Sequence, residues 1–134
     1  MPVKISHLGI AVKSLDEATK VYTEALGIKV EEIHRAPESG MNAAMLDAGN
    51  AMLELIEPVG TEGTIAKFIE SRGEGIHHIC LEVDDIVTTL DSLAAKGVRL
   101  IDKEPRQGIE GKVAFIHPKA MNGVLVELVE KSKA

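Results

Sequence analysis

The chain has 134 residues, the size of one ordinary domain, and its 45% hydrophobic and 27% charged content is that of a soluble globular protein. A formal net charge of −6 and an aromatic fraction of 2% argue against a nucleic-acid partner, which needs a basic footprint and stacking platforms. No apolar run approaches membrane-spanning length and the first residues do not read as a signal peptide, so no membrane partner is expected. Cys80 is the single cysteine, which excludes an internal disulfide framework and suits the reducing cytoplasm.

In chain order, Ile5–Val12 alternates as a strand, with His7, Gly9 and Ala11 on one face and Leu8, Ile10 and Val12 on the other. Small residues around a histidine make a poor core but a suitable cavity floor. Ser14-Leu15-Asp16-Glu17 is a capping box, and the helix after it places Leu15, Ala18, Val21, Tyr22, Ala25 and Leu26 on one face before Gly27 stops it. Strands are predicted over Lys29–Arg35, Asn42–Ala48 and Ala51–Glu57, with Gly49-Asn50 as the hairpin turn. A short amphipathic helix over Thr64–Arg72 has Ile65, Phe68 and Ile69 on one side. Ile76–Val83 is again a strand. Asp84 or Asp85 caps a helix with Ile86, Leu90, Leu93 and Ala94 inward, and Gly97 ends it. Further strands are expected near Arg99–Lys103, Lys112–His117 and Gly123–Glu130.

The second half repeats the first. Ser6-His7-Leu8-Gly9-Ile10-Ala11-Val12 returns as His77-His78-Ile79-Cys80-Leu81-Glu82-Val83, with His78 standing 71 residues after His7. Gly27-Ile28-Lys29-Val30 returns as Gly97-Val98-Arg99-Leu100, and Leu53-Glu54-Leu55-Ile56-Glu57 as Val126-Glu127-Leu128-Val129-Glu130. A fixed-period repeat decides the architecture. The expected fold is α+β: two tandem β-α-β-β-β modules forming curved mixed sheets around a metal site. Residues 1–134 are expected to form one domain from repeats of about 1–60 and 72–134, joined by the short helix.

Each half thus opens with a strand bearing one His and closes with a strand bearing one Glu. Glu54 shares its face with Met52 and Ile56, and Glu127 with Leu125 and Val129. A carboxylate among apolar neighbours is costly unless it is paired or metal-bound. His7, Glu54, His78 and Glu127 are therefore the candidate ligands of one divalent cation, in a mixed His/carboxylate set of an established kind. Glu57 and Glu130 fall on the opposite faces at strand ends, where exposure to solvent suits them. His77 precedes His78 and faces the other way, which assigns it to packing. His34 and His117 have no repeat partner and are placed near strand ends. Cys80 shares the face of His78 and is read as a small buried residue.

Over nearly the whole chain these residues resemble the vicinal-oxygen-chelate, or glyoxalase/bleomycin-resistance, superfamily. His7-Leu8-Gly9-Ile10-Ala11-Val12 and Tyr22-Thr23-Glu24-Ala25-Leu26-Gly27 are common across it. The sharper motifs are His77-His78-Ile79-Cys80-Leu81-Glu82-Val83-Asp84-Asp85-Ile86, then Phe115-Ile116-His117-Pro118-Lys119 and Gly123-Val124-Leu125-Val126-Glu127-Leu128. These resemble the superfamily's epimerases of malonyl-type CoA thioesters. The resemblance implies His7, Glu54, His78 and Glu127 as ligands of a Co, Zn, Ni or Mn ion, an acyl-CoA substrate, and a homodimer. One departure stands out. Some of these epimerases carry Gln at the position of Glu54 and a second base on the preceding strand, where this chain has Ala43.

The implied reaction removes the proton at C2 of the acyl group and returns it to the other face of an enolate. Glu127 matches the family's base, and symmetry adds Glu54 as the second catalytic carboxylate, with Glu38 the next candidate. Lys103, Arg106, Lys112 and Lys119 lie around the loops of the second half, where CoA phosphates need cations. The competing expectations are an isomerase of the lactoylglutathione lyase type, which uses a similar ligand set, and a binding protein that sequesters a small drug without catalysis. A ring-cleaving dioxygenase, typically built on two His and one carboxylate, fits the four-residue set less well.

Overall fold

The computed structural model describes residues 3–36 and 40–132, which group into two compact units. The first spans His7–His77, and the second takes the residues from His78 onward together with those up to Ser6.

The first unit holds the body of β1 (Lys4–Ala11), α1 (Leu15–Leu26), β2 (Lys29–Ala36), β3 (Met41–Asp47), β4 (Met52–Pro58) and α2 (Thr64–Arg72). Its strands lie in the order β2-β3-β4-β1; β1 runs parallel to β4 and the other pairs are antiparallel. The capping box forms as expected. Ser14 Oγ accepts the Glu17 N–H, and Gly27 closes α1 at φ 69°, a left-handed value that glycine adopts without strain. Leu15, Ala18 and Tyr22 of α1 pack on Val12, Ala44, Leu46 and Leu55. The apolar stripe is narrower than the sequence suggests: Val21 and Leu26 are exposed. At the Gly49-Asn50 turn, Gly49 has φ 95° and the Ala48 N–H bonds Ala51 O. On the opposite face, Ile65, Phe68 and Ile69 of α2 pack with Ala11, Ile56 and Met41.

The second unit repeats this plan with β5 (Gly75–Glu82), α3 (Ile86–Ala95), β6 (Arg106–Gln107), β7 (Gly111–Ile116) and β8 (Val126–Lys131). The strand order is β5-β8-β7-β6, with β5 parallel to β8. Asp85, of the two candidate aspartates, caps α3 by accepting the Thr88 N–H, and this bond holds its carboxyl below the usual carboxylate range. Ile86, Leu90 and Leu93 pack on Ala114, Ile116, Val126 and Leu128, while Ala94 faces solvent.

The predicted strand over Arg99–Lys103 does not form. Leu100 makes one isolated bridge to Ile116, and the Ile101 and Asp102 N–H groups both converge on Phe115 O. Asp102 Oδ2 takes the Phe115 N–H, so a side chain occupies a bond that a partner strand would have made. Pairing resumes only past Pro105, in the two-residue β6.

Candidate metal and acid–base site

In the first unit, β1 and β4 pair with Gly9 opposite Glu54 and Ala11 opposite Ile56. Paired residues project to the same side of a sheet, so His7, two residues before Gly9, shares the face of Glu54. Its Nε2 lies 3.2 Å from Glu54 Oε1, and the imidazole is 7% exposed. In the second unit, β5 and β8 pair with Cys80 opposite Glu127. His78, two residues before Cys80, is 5% exposed, and its Nε2 lies 3.2 Å from Glu127 Oε1. The two halves thus build the same pair, a buried His against a partly buried Glu, at matching register positions, 3.2 Å in each case. A buried imidazole beside a largely sheltered carboxylate, 16% exposed at Glu54 and 13% at Glu127, is a borderline N/O donor set, the kind that suits a divalent cation.

The elements that aim these side chains are themselves tied together by residues that sequence reasoning assigned to solvent. Glu57, three residues after Glu54, is half-buried; its Oε2 accepts the Leu15 N–H at the start of α1, and its Oε1 accepts from Asn42 Nδ2. Glu130, three residues after Glu127, accepts the Ile86 N–H at the start of α3 through Oε1. Each carboxylate meets the orphan donors at a helix N-terminus, where negative charge is favoured. The strand carrying the site Glu therefore also anchors the helix that follows the strand carrying the site His. The signal lay in the repeat, since Glu57 and Glu130 recur in register as faithfully as Glu54 and Glu127.

The remaining candidates fall as follows. His77 meets Phe68 edge-on at a centroid distance of 5.0 Å, a packing contact. Cys80 is 1% exposed, and its Sγ lies within 4.8 Å of a Glu127 carboxylate oxygen. Phe115, opposite Glu127, packs edge-on to His78 at 6.1 Å. Arg106 lies over the Phe115 ring at 5.5 Å and 3.6 Å from Asp102, with its side chain largely exposed. Lys103, Lys112 and Lys119 are exposed as well. His117 sits just past β7, where its Nδ1 accepts the Lys119 N–H; desolvation and the charges of Arg99 and Lys119 push its imidazole below its usual value. His34 lies two residues before the end of β2 and hydrogen-bonds Glu32 through Nε2. Glu38 lies outside the described residues.

Residues 6–115 match the family described as the glyoxalase/bleomycin resistance protein/dioxygenase superfamily. The mitochondrial methylmalonyl-CoA epimerase of Dictyostelium discoideum is 43% identical over 130 residues, which cover 96% of this chain and 78% of that protein. A solved structure of a Streptomyces coelicolor methylmalonyl-CoA epimerase variant in complex with 2-nitronate-propionyl-CoA superposes with a TM-score of 0.89 at 35% identity, covering 98% of this chain and 96% of the other. A probable lactoylglutathione lyase of Vibrio cholerae is 26% identical, with 98% of this chain and 93% of that protein covered.

Proposed function

The chain belongs to the glyoxalase/bleomycin resistance protein/dioxygenase superfamily, and we propose that within it the protein is a metal-dependent epimerase interconverting the C2 epimers of methylmalonyl-CoA. The observation that carries this reading is the His–Glu pair, its imidazole buried, built twice at equivalent positions. Epimerisation needs a base on each face of a planar carbon, and a doubled site supplies two carboxylates. The higher identity to the epimerase than to the lyase favours this substrate over a glutathione hemithioacetal.

In this reading the two repeats act as one domain, and His7, Glu54, His78 and Glu127 hold one divalent ion, Co, Zn, Ni or Mn. Such an ion would offset the negative charge that develops on the substrate oxygens as the C2 proton leaves. Glu127 takes that proton from one epimer. Glu54 returns a proton to the opposite face, and the roles reverse for the other epimer. His7 and His78, both buried, fix the orientation of the two carboxylates and limit the access of bulk water to them. Arg106, held by Asp102 on the Phe115 ring, is the cation best placed for an anionic part of the acyl-CoA; Lys103, Lys112 and Lys119 extend that basic edge. We further assign a homodimer, by likeness to the family, and a cytoplasmic location, which the single cysteine suits. Among the described residues no helix is long and apolar enough to cross a membrane.

The test is an epimerisation assay with methylmalonyl-CoA run beside a hemithioacetal isomerase assay, each after loading with Co, Zn, Ni and Mn in turn. The expected result is turnover of the CoA thioester and none of the hemithioacetal. Turnover of the hemithioacetal alone transfers the assignment to the lyase type.

A further inference from the structure

Two strands away from Glu54, β2 carries a second His–Glu pair on the same face of the sheet. Glu32 stands opposite Met45, and Met45 opposite Glu54, in one row; His34 stands opposite Ala43, and Ala43 opposite Ile56, in the next. A β-bulge between Val30 and Glu32 produces this arrangement. Val30 packs with the α1 cluster on the other face, and simple alternation would send Glu32 and His34 there too. The extra residue reverses the parity and turns both side chains to the face of Glu54.

His34 Nε2 is hydrogen-bonded to Glu32 Oε2, and the two side chains are 28% and 58% exposed. The pair is thus part sheltered and part in solvent. Adjacent strands lie about 4.8 Å apart, so β2 and β4 are separated by about 10 Å. Between β2 and β4 stand Ala43, in the row of His34, and Met45, in the row of Glu54; both are buried, and neither can carry a proton itself. Proton transfer between His34 and Glu54 across this gap therefore requires bridging water.

We propose that the Glu32–His34 pair is the proton carrier that resets Glu54 between turnovers, a role that rests on the epimerase reading. A two-base epimerase ends each turnover in the wrong state for the next in the same direction. Glu127 has gained the C2 proton, and Glu54 has lost the one it gave. Glu127 must release a proton to solvent, and Glu54 must regain one. His34 passes the proton of its cationic form to the Glu54 carboxylate and recovers one from solvent at its exposed edge, so the cycle returns one proton for each proton lost. Glu32 holds the ring in place through its hydrogen bond to Nε2. In the reverse direction the same pair removes the proton from Glu54.

The test is steady-state epimerisation of methylmalonyl-CoA by metal-loaded wild type, His34→Ala, His34→Gln and Glu32→Gln, at low buffer concentration and with added imidazole. At low substrate the enzyme has time to reset by slow exchange with water, so kcat/KM should stay within about twofold of wild type. At saturation, kcat of His34→Ala should fall on the order of tenfold to a hundredfold, near the lower range for a positioned proton carrier. Added imidazole should restore most of it, and metal content should equal that of wild type. His34→Gln should stay as slow as His34→Ala, because an amide can keep the bond to Glu32 but carries no proton; Glu32→Gln should lower kcat in the same sense. An unchanged kcat in His34→Ala, full recovery in His34→Gln without imidazole, or an equal fall in kcat and kcat/KM overturns the relay while leaving the epimerase reading intact. A wild type that does not epimerise the thioester overturns both.

Discussion

Glu54 and Glu57 sit three residues apart on one strand and do opposite jobs: one faces an imidazole on the site face, the other holds the first turn of a helix behind it. Period-two alternation made the first half of that statement legible in the sequence, because it set Glu54 among apolar side chains. The second half was not legible, since Leu15 lies 42 residues from Glu57 and only the fold brings its N–H to that carboxylate. The same alternation separates His77 from His78. His77→Ala should keep its bound metal and His78→Ala should lose it, as read by metal analysis of the two purified variants. Equal loss in both would mean that the assigned strand register is wrong by one residue. His117 gives a second check at this scale. Its NMR titration midpoint should fall below the ordinary value of 6.5, because desolvation and the neighbouring Arg99 and Lys119 charges favour the neutral ring. For a base whose folded value is depressed, the linked stability is present above the unfolded value and is lost as the pH falls through the folded one. A midpoint at or above 6.5 would contradict that account.

At the scale of elements, the sequence was most readable where local chemistry decides. The Ser14 capping box, the Gly27 stop and the helix over Thr64–Arg72 all depend on neighbours in the chain. Ser14→Ala removes the acceptor for the Glu17 N–H and should cost about 1 kcal/mol by denaturant titration, with the site chemistry unaffected. The sequence was least readable where side chains replace backbone pairing. Asp102 takes over a bond at Phe115, so the stretch from Arg99 reads as a strand and forms only a bridge. The bulge in β2 is a similar case, since one inserted residue reverses the direction of His34 without any mark in the hydrophobic pattern. Gly111 at the start of β7 is a stricter requirement. It has φ 150°, and an added Cβ would lie 2.1 Å from Glu130 O, the backbone of the strand that bears Glu127. Gly111→Ala should therefore destabilise the fold by about 3 kcal/mol or more in the same titration. A change within 0.5 kcal/mol would show that β8 can shift freely, and with it the carboxylate it aims.

Across the whole molecule the repeat is the organising fact. It predicted two modules of the same β-α-β-β-β order, which the element sequence of each unit follows. It also singled out His7, Glu54, His78 and Glu127 as one set, within which His7 meets Glu54 and His78 meets Glu127 at 3.2 Å, each in its own unit. What the repeat could not give was the asymmetry between the halves. The outer strand of the first unit is eight residues long and carries His34 with Glu32, whereas that of the second is two residues long and carries Arg106, paired with Asp102 of the segment before it. The homodimer assigned by family likeness predicts a solution mass of twice 14.4 kDa at micromolar concentration. A monomeric mass there would remove that assignment without touching the chemistry. The chemistry itself turns on whether Glu127 and Glu54 serve opposite faces of one carbon. The most direct measurement follows C2 of each methylmalonyl-CoA epimer in deuterated water, with metal-loaded Glu127→Gln and Glu54→Gln beside wild type and metal content matched. Wild type should epimerise and exchange both epimers, while each variant should lose epimerisation and still exchange the C2 proton of one epimer only, a different epimer in each. Full epimerase activity in Glu54→Gln would place the second base elsewhere and contradict the account.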